Sequence, residues 1–313
     1  MKVLVYGWFN HSNVGDELFK DVFNKLFPEY NFTFTDHFTL ENVNGADAIF
    51  FGGGSFLNQP LFIPENRSEI YRQLLRKTIL YIGVGLETNI HQDHADLIQC
   101  SSLIAARTKN NRLNTSIYKV IQIPDLVYAL NDSLDLSDTA NPQSVLVLPN
   151  VSVVPRHNDP HWMHASWDHF KTEMSQFLDY LIDNRYTVKF ANMCQDPKVD
   201  DNFASHAICS TMVNRESSNI LNFIDIRMIS TYGIIITQRY HGIVMADMAG
   251  VPCLPIYHHD KLKLDNSISY YELSKNKLIE NFESVKNKQV VKSSINFSAF
   301  SQLVEEVKNI LKD

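Results

Sequence analysis

The stretch that decides the fold is Gly233–Ile256, GIIITQRYHGIVMADMAGVPCLPI. It begins with three isoleucines and a threonine, continues through alanines and methionines, and ends in a second apolar run that follows a glycine and a proline. An apolar strand, a helix and another apolar strand in this order are typical of a parallel βαβ unit. The sequence therefore predicts strands over Gly233–Thr237 and Cys253–Ile256, with a helix over Gly242–Ala249 between them.

The same alternation of short β-branched runs and helix-length segments extends through the rest of the chain. Further strands are predicted over Val3–Tyr6, Ala48–Phe51, Ile79–Val84, Leu103–Ala106, Val120–Ile123, Val145–Leu148 and Thr187–Ala191. Helices are predicted over Trp167–Asn184, over Ser218–Ser230 and from Phe300 onward, where apolar residues recur at helical spacing. This pattern predicts two α/β halves built on parallel sheets.

Chain length supports the division into two halves. The chain has 313 residues, and chains beyond about 250 residues tend to form more than one core. Asn131–Ser144 is rich in Asp, Asn and Ser, which marks it as the linker. We therefore expect two Rossmann-like domains, 1–141 and 142–313, that face each other across a cleft, with the C-terminal helix closing the second domain.

Composition limits the kinds of ligand. There are 28 Lys and Arg against 35 Asp and Glu, a net charge of −7, which argues against general binding to nucleic acids or anionic membranes. Any anionic ligand must instead be held by a local group of cations. No stretch approaches the roughly 18 to 20 apolar residues of a membrane span, so we expect a cytoplasmic protein. The four cysteines are scattered, which predicts free thiols.

Three potential cations are predicted to meet at one edge of the second sheet. Arg239 and His241 follow a buried strand and open a helix, and Lys261 follows the next strand. Parallel strands present their carboxyl ends at the same edge, where helix N-termini also favour anions. The alternative is a surface arginine, a histidine bonded to a carbonyl and a solvated lysine.

In the first half, polar and glycine-rich segments follow the predicted strands. Asn13, Gly15 and Asp16 open a helix that Asn13 can cap, and a purely structural cap is equally consistent with them. Gly52, Gly53, Gly54 and Ser55 follow another strand. Glycines there permit a close backbone approach to a ligand, although tight turns use the same residues. We consider both segments candidates for the lining of the cleft.

Other charged residues also follow predicted strands. Arg107 and Asp125 each follow a strand of the first half, and Arg156 follows the first strand of the second half. No dinucleotide fingerprint, P-loop, G-x-S-x-G elbow or H-E-x-x-H motif is present. His, Cys and acidic residues also lack metal-ligand spacing. The sequence thus predicts neither a metal nor a bound cofactor.

Together these motifs resemble those of the polysaccharide pyruvyl transferase family. The most specific part is Arg239-x-His241-Gly242, followed by Lys261 twenty residues after the histidine. Weaker support comes from Asn13-x-Gly15-Asp16, Gly52-Gly53-Gly54-Ser55, Arg107, Pro124-Asp125, Ala246, Ala249, Gly250 and Pro252. The motifs span most of the chain in the order that the family shows.

The resemblance implies a GT-B-like fold, phosphoenolpyruvate as co-substrate and a sugar of a glycan or lipid-linked acceptor. The product would be a pyruvate ketal. It also implies that Arg107, His241 and Lys261 occupy donor-site positions with Arg239 beside them, and that the first domain faces the acceptor while the second carries the donor. We count Gly242 and Arg156 among the candidate donor-binding residues and Asp125 among those that line the cleft on the acceptor side. We assign His241 as the general acid and base, because an imidazole titrates near neutral pH.

Two other functions fit the same scaffold. One is a glycosyltransferase that uses a nucleotide sugar, which would need a site for base and ribose. The other is a glycan-binding protein without catalytic activity. A proton donor beside an anion site argues against the second, because binding alone does not need it.

Overall fold

The protein consists of two α/β units. A computed structural model describes residues 1–54, 56–86, 89–107, 118–134, 140–221, 224–257, 268–269, 273–287 and 297–312. Unit 1 comprises Met1–Asp132 and Ser294–Asp313, and unit 2 comprises Ser133–Ser293. Each unit contains a parallel sheet, and helices connect most of the successive strands in the described residues. The predicted pair of α/β halves is confirmed.

The sheet of unit 1 has the strand order β2-β1-β3-β4-β5-β6, and all neighbours are parallel. Its strands in the described residues are β1 (Lys2–Tyr6), β2 (Asn31–Thr35), β3 (Ala48–Gly54), β4 (Thr78–Val84), β5 (Leu103–Ala106) and β6 (Val120–Gln122). The inner strands β3 and β4 are buried almost throughout, which explains their continuous apolar sequence. The edge strand β2 is only partly buried and alternates polar with apolar residues, and sequence analysis missed it.

The helices of unit 1 cover this sheet. They are α1 (Val14–Leu26), α2 (Leu40–Gly45), α3 (Arg67–Leu74), α4 (Gln92–Gln99) and the C-terminal α9 (Ser298–Lys312). Helix α1 begins as predicted, because the Gly15 N–H donates to Oδ1 of Asn13 at 3.2 Å. This cap satisfies one of the N–H groups that the first turn leaves without a partner.

The last helix belongs to unit 1, which corrects its predicted place in a second domain of 142–313. Its apolar stripe is buried at Leu303 and Val307. Ion pairs also connect α9 to residues of unit 1: Lys308 contacts Glu29 at 2.9 Å, and Glu306 contacts Lys119. The chain divides after Asp132, within the predicted linker, and the next strand already begins at Asn141.

Unit 2 contains the βαβ unit that decides the fold. Its strands are β7 (Asn141–Leu148), β8 (Thr187–Ala191), β9 (Asn219–Leu221), β10 (Tyr232–Thr237), β11 (Cys253–Tyr257) and β12 (Ile268–Ser269). Its α-helices are α5 (His161–Asp183), α6 (Asn202–Cys209), α7 (Tyr240–Ala249) and α8 (Lys275–Lys286). The strand order is β12-β11-β10-β7-β8-β9, all parallel. Strand β10, helix α7 and strand β11 confirm the predicted unit.

One predicted helix of unit 2 is wrong. The segment 218–230 forms the edge strand β9 and a short 3-10 helix, Ile226–Thr231, instead of one α-helix. Asp225 caps the 3-10 helix by accepting the N–H of Arg227 at 3.0 Å. None of the helices in the described ranges combines the length and apolar character that a bilayer crossing needs.

The imidazole of His94 on α4 makes the stability of unit 1 dependent on pH. Burial lowers the pKa of His94 from 6.5 to about 4, and the charge of Asp93 only partly opposes this. In the unfolded chain His94 is therefore protonated below about pH 6.5, whereas in the folded chain it is protonated only below about pH 4. Stability must fall as the pH decreases through this window, by about 3 kcal/mol from this residue.

Replacing the imidazole removes this proton uptake. We expect His94→Gln to flatten the pH dependence of the free energy of unfolding between pH 6.5 and 4.5, measured by urea titration. His206→Gln changes an exposed imidazole on α6 of unit 2 and serves as the control. An unchanged slope in His94→Gln would contradict the assignment.

Candidate functional site

The sheet of unit 2 reverses its strand order between β7 and β10. From β7 the chain moves outward to β8 and β9, and it returns to the other side of β7 with β10. Ligands of open parallel sheets bind at such a switch point, outside the carboxyl ends of the strands. The two strands end in register, since Leu148 pairs with Thr237. The predicted Arg239 and His241 follow directly, so the structure places them at this point.

Helix α7 begins at the switch point because of a local hydrogen-bond arrangement. Arg239 is extended and precedes the first turn, and its N–H donates to Oγ1 of Thr237 at 2.9 Å. Gly242 lets the helix approach the sheet closely, because a Cβ there would lie 2.5 Å from the same hydroxyl. The helix ends at Gly250 in the left-handed conformation, at φ 69°. The positive end of the α7 dipole is thus fixed beside β10.

Arg239 forms an ion pair with Asp201, which sequence analysis missed. Nε of Arg239 donates to Asp201 at 2.9 Å, and Nη2 contacts the other carboxylate oxygen. The aspartate is fully buried, and 14% of the arginine side chain is exposed. The guanidinium is therefore held in one orientation, as bidentate pairs are. Nη1 of Arg239 carries the further N–H donors of the group.

The Asp201 carboxylate also collects backbone N–H groups from separate loops. It accepts from Val151 after β7 at 3.0 Å and from Cys194 after β8 at 3.0 Å. Burial raises the pKa of Asp201, and Arg239 together with these N–H donors opposes that rise. One buried carboxylate thus connects the segments that follow β7, β8 and β10.

Gln238 is the second residue of the site that sequence analysis did not select. Only 7% of it is exposed. Its Oε1 accepts the N–H of Asn150 at 3.2 Å, across the switch point. Among the described residues, its buried Nε2 has no hydrogen-bond partner. A buried amide that lacks a partner costs about 1 to 3 kcal/mol, so a ligand that accepts from it gains affinity.

His241 occupies the first turn of α7. The residue is partly buried, and its Nε2 atom is shielded from solvent. Its ring meets that of Tyr240 edge to face, with 5.6 Å between the centroids. The residue lies at the positive end of the helix dipole. Its imidazole has the chemistry of a general acid and base.

Two predicted residues of unit 1 contact each other. Nη1 of Arg107, after β5, donates to Asp125, after β6, at 2.8 Å. Both side chains are almost fully buried, with 4% and 0% exposed. The other oxygen of Asp125 accepts the N–H of Val127 at 3.0 Å. The pair therefore connects the carboxyl ends of two neighbouring strands of unit 1.

The glycines in the last three positions of β3 pack against α1. A Cβ on Gly52 would lie 2.6 Å from the ring of Phe23, and a Cβ on Gly53 would likewise clash with the ring of Phe19. Gly54 has φ 102°, and a Cβ there would lie 3.2 Å from Oδ1 of Asp16. The glycines allow close packing between helix and strand, and they bring Asp16 to the carboxyl end of β3.

The remaining predicted residues do not join these groups in the described part of the chain. Arg156 is exposed after β7, and its backbone N–H donates to Asp159 at 2.6 Å. Lys261 and Ser55 lie outside the described residues. All four cysteines are free, as predicted.

Asp201 and Gln238 could in part have been found from the sequence. Gln238 lies inside the motif and directly follows the strand, so it meets the same criterion by which Arg239 was selected. Asp201 gives no comparable signal, because 38 positions separate it from Arg239. Nothing in its local sequence distinguishes it from Asp200. Only the strand order brings it to the switch point.

The fold is that of two-domain α/β enzymes of the GT-B type. Similar solved structures include the UDP-GlcNAc 2-epimerase from Methanocaldococcus jannaschii, at 11% identity, with 98% of this chain and 99% of that chain covered and a TM-score of 0.58. The Neisseria meningitidis UDP-GlcNAc 2-epimerase is 13% identical over 99% and 100% of the chains, with a TM-score of 0.54. MurG from Acinetobacter baumannii is 12% identical over 98% and 99%, with a TM-score of 0.50. At these identities the likeness establishes the fold alone, and it confirms the predicted fold class.

The sequence identifies the family. Residues 13–260 match the family model for polysaccharide pyruvyl transferase, which covers most of the chain. The chain therefore belongs to the polysaccharide pyruvyl transferase family and is a transferase, as predicted. A comparison with curated protein sequences finds no significant match.

The buried ion pair predicts a large stability effect. Asp201→Asn removes the charge that compensates Arg239 and replaces acceptor oxygens by an amide that faces N–H donors. We expect a loss of about 3 to 5 kcal/mol in the free energy of unfolding, because breaking a buried pair leaves an uncompensated charge. Urea titration measures this free energy of unfolding.

Asp225→Asn, which breaks the exposed pair with Arg227, is the control and should have a clearly smaller effect. Equal effects of the two substitutions would contradict the role of Asp201.

Proposed function

We propose that this enzyme transfers the pyruvyl group of phosphoenolpyruvate to two hydroxyls of a sugar unit in a glycan or lipid-linked acceptor. The products are a pyruvate ketal and phosphate. Family membership supports this reaction. The observation that supports the assignment of the site is the position of Arg239, His241 and the buried amide of Gln238 at the end of β10 and the start of α7, beside the switch point. A cytoplasmic location is part of the proposal, since phosphoenolpyruvate is a cytoplasmic metabolite.

The charge of phosphoenolpyruvate fits this place. Its phosphate and carboxylate carry close to three negative charges on a small skeleton, and the chain as a whole has a net charge of −7. Binding therefore depends on local donors. The N-terminus of α7 supplies a positive dipole end, and Arg239 and Gln238 supply N–H groups. Lys261, placed here by the family resemblance, adds a full positive charge.

His241 moves the protons of the reaction in this proposal. Ketal formation begins with protonation of the enol methylene and attack of the first hydroxyl on the central carbon. The bond from that carbon to the phosphate oxygen then breaks, which leaves a carbocation stabilised by the adjacent oxygen. The second hydroxyl attacks this carbon and loses its proton. The imidazolium gives the proton to the methylene, and the resulting imidazole can accept the proton of one attacking hydroxyl. The released phosphate accepts the proton of the other hydroxyl.

Substitution of the imidazole tests this role. We expect His241→Ala to lower the rate of phosphate release by about 10²-fold or more, because general acid and base catalysis contributes about 10² to 10⁴. The measurement is phosphate release from phosphoenolpyruvate, screened over galactosides, glucosides and acceptors that contain mannosamine.

His206→Ala, which removes an exposed imidazole from α6 of the same unit, is the matched control. Near-wild-type turnover in His241→Ala would exclude the proposed role. A thermal shift with a nucleotide sugar and none with phosphoenolpyruvate would instead support a glycosyltransferase.

Donor binding is tested separately from turnover. We expect Gln238→Leu and Lys261→Ala each to weaken the affinity for phosphoenolpyruvate about tenfold, since a hydrogen bond to a charged group contributes about 1.5 to 3 kcal/mol. Titration calorimetry measures the dissociation constant, with Lys198→Ala on an exposed segment of unit 2 as the control. Unchanged affinity in both variants would place the donor elsewhere.

A further inference from the structure

A second group of polar and aromatic side chains lies at the carboxyl end of the sheet in unit 1. Trp8 and His11 follow β1, Asp36 and His37 follow β2, and Phe62 lies in the segment between β3 and α3. Strands β1 and β2 are neighbours in the sheet, and β3 lies on the other side of β1. The strand order reverses between β1 and β3, and the segments after β1, β2 and β3 that carry these residues leave the carboxyl edge of the sheet beside that switch point. We refer to these five residues as the His–Asp cluster.

Asp36 connects the two imidazoles of the cluster. One carboxylate oxygen bonds to Nε2 of His11 at 2.9 Å, and the other bonds to Nδ1 of His37 at 2.7 Å. Burial alone would raise the pKa of Asp36, but the hydrogen bonds with both histidines hold it below its usual value. The carboxylate is therefore ionised at neutral pH. An ionised carboxylate can only accept, so Nδ1–H of His37 is the donor in this bond, and in that tautomer Nε2 of the uncharged ring can accept a hydrogen bond.

Phe62 presents its ring to solvent from a rigid backbone. Phe62 as a whole is 58% exposed. The Phe62 N–H donates to the hydroxyl of Tyr6 at 3.1 Å, and its carbonyl accepts the N–H of Phe38 at 3.0 Å. Its ring meets the imidazole of His37 edge to face, with 6.0 Å between the centroids. An exposed aromatic ring fixed on both sides of its backbone is a preorganised contact surface.

The loop that carries Trp8 and His11 is held in a strained conformation. Asn10 and Ser12 have positive φ angles of 65° and 49°, a region that Asn tolerates but that is unfavourable for Ser. Helix α1 holds this loop, because Glu17 accepts the Asn10 N–H at 2.6 Å and Lys20 donates to the Asn10 side chain at 2.8 Å. The rings of Trp8 and His11 are then stacked, with 4.9 Å between the centroids. Backbone strain of this kind occurs preferentially at functional sites.

We propose that the His–Asp cluster binds a sugar unit of the acceptor. A pyranose has apolar C–H faces and a rim of hydroxyls, and the cluster offers aromatic rings beside oriented acceptor atoms. The Phe62 ring contacts the apolar face, and Nε2 of His37 accepts a hydroxyl proton in a hydrogen bond. Asp36 and His11 hold that imidazole in place. A metal centre does not fit, because no group of His, Cys, Asp or Glu in the described residues could hold a metal ion.

The choice of a sugar rests on the proposed function, but the test of binding does not depend on catalysis. Saturation-transfer NMR of the full chain is recorded with methyl β-D-galactopyranoside, methyl β-D-glucopyranoside and N-acetylmannosamine, without phosphoenolpyruvate. We expect at least one of these probes to bind the wild-type chain. Phe62→Ala, His37→Phe and Asp36→Asn should each reduce the signal of that probe. Phe297→Ala, an exposed phenylalanine elsewhere in unit 1, is the matched control.

Kinetics then separate acceptor binding from donor chemistry. With an active acceptor, Phe62→Ala should raise the acceptor KM about tenfold, leave kcat within about twofold and leave the affinity for phosphoenolpyruvate unchanged. A fall in kcat with an unchanged acceptor KM would overturn the proposal, as would a loss of the folded state in all three variants. Circular dichroism monitors the fold of each variant.

The outcomes distinguish this inference from the proposed function. If phosphate is released but none of the three variants changes acceptor KM, the cluster is not the acceptor site, and the proposed reaction stands. If a sugar binds through the cluster but no phosphate is released, the cluster is confirmed and the proposed reaction fails. Failure of every probe to bind overturns the cluster. A change of oligomeric state in Phe62→Ala, seen by light scattering, would assign Phe62 to a contact between copies of the chain and also overturn it.

Discussion

The Asp201 carboxylate is the interaction on which the carboxyl edge of unit 2 depends. It receives two donors from Arg239 and backbone N–H groups from the segments after β7 and β8. Moving two charges out of water is costly, and a buried pair is tolerated only when hydrogen bonds fill the remaining sites of both groups. Here the backbone supplies them, so three segments are held in one arrangement. Arg107 and Asp125 form a similar pair at the corresponding edge of unit 1. Both edges are therefore preorganised before any ligand binds.

The pairing changes what the arginines can contribute to anion binding. From the sequence alone, Arg239 and Arg107 are expected to be cations that can bind phosphoenolpyruvate. In the structure each faces a buried aspartate, which compensates most of its charge. In the proposed site the attraction for an anion then comes largely from the α7 dipole and the Gln238 amide, while Arg239 orients N–H donors. A site of this kind selects its ligand by hydrogen-bond geometry more than by net charge, which suits a chain that is acidic overall.

The sequence predicted most of the buried architecture. Inner strands such as β4 and β10 have continuous apolar sequences, because helices cover both faces of a parallel sheet. Edge strands such as β2 lack that signal, since they are only partly buried. The motif around His241 was readable because strand end and helix start are adjacent in sequence. Asp201 and the His–Asp cluster were not readable, because strand order alone brings their members together. The place of α9 likewise depends on tertiary contacts that its own periodicity does not reveal.

The two edges differ in chemistry in a way that suits a transferase. The unit 2 edge offers a helix N-terminus and N–H donors, which favour an anion. The unit 1 cluster contains the ionised carboxylate of Asp36, which is hydrogen-bonded to two histidines, beside the exposed ring of Phe62. An ionised Asp36 repels phosphoenolpyruvate, whereas a neutral sugar is not repelled. A repulsive group of this kind hardly weakens the binding of the correct ligand, but it strongly weakens the binding of the wrong one. In the proposed acceptor site, the carboxylate that orients His37 would thus also disfavour phosphoenolpyruvate, which gives a physical reason for an acid between two imidazoles.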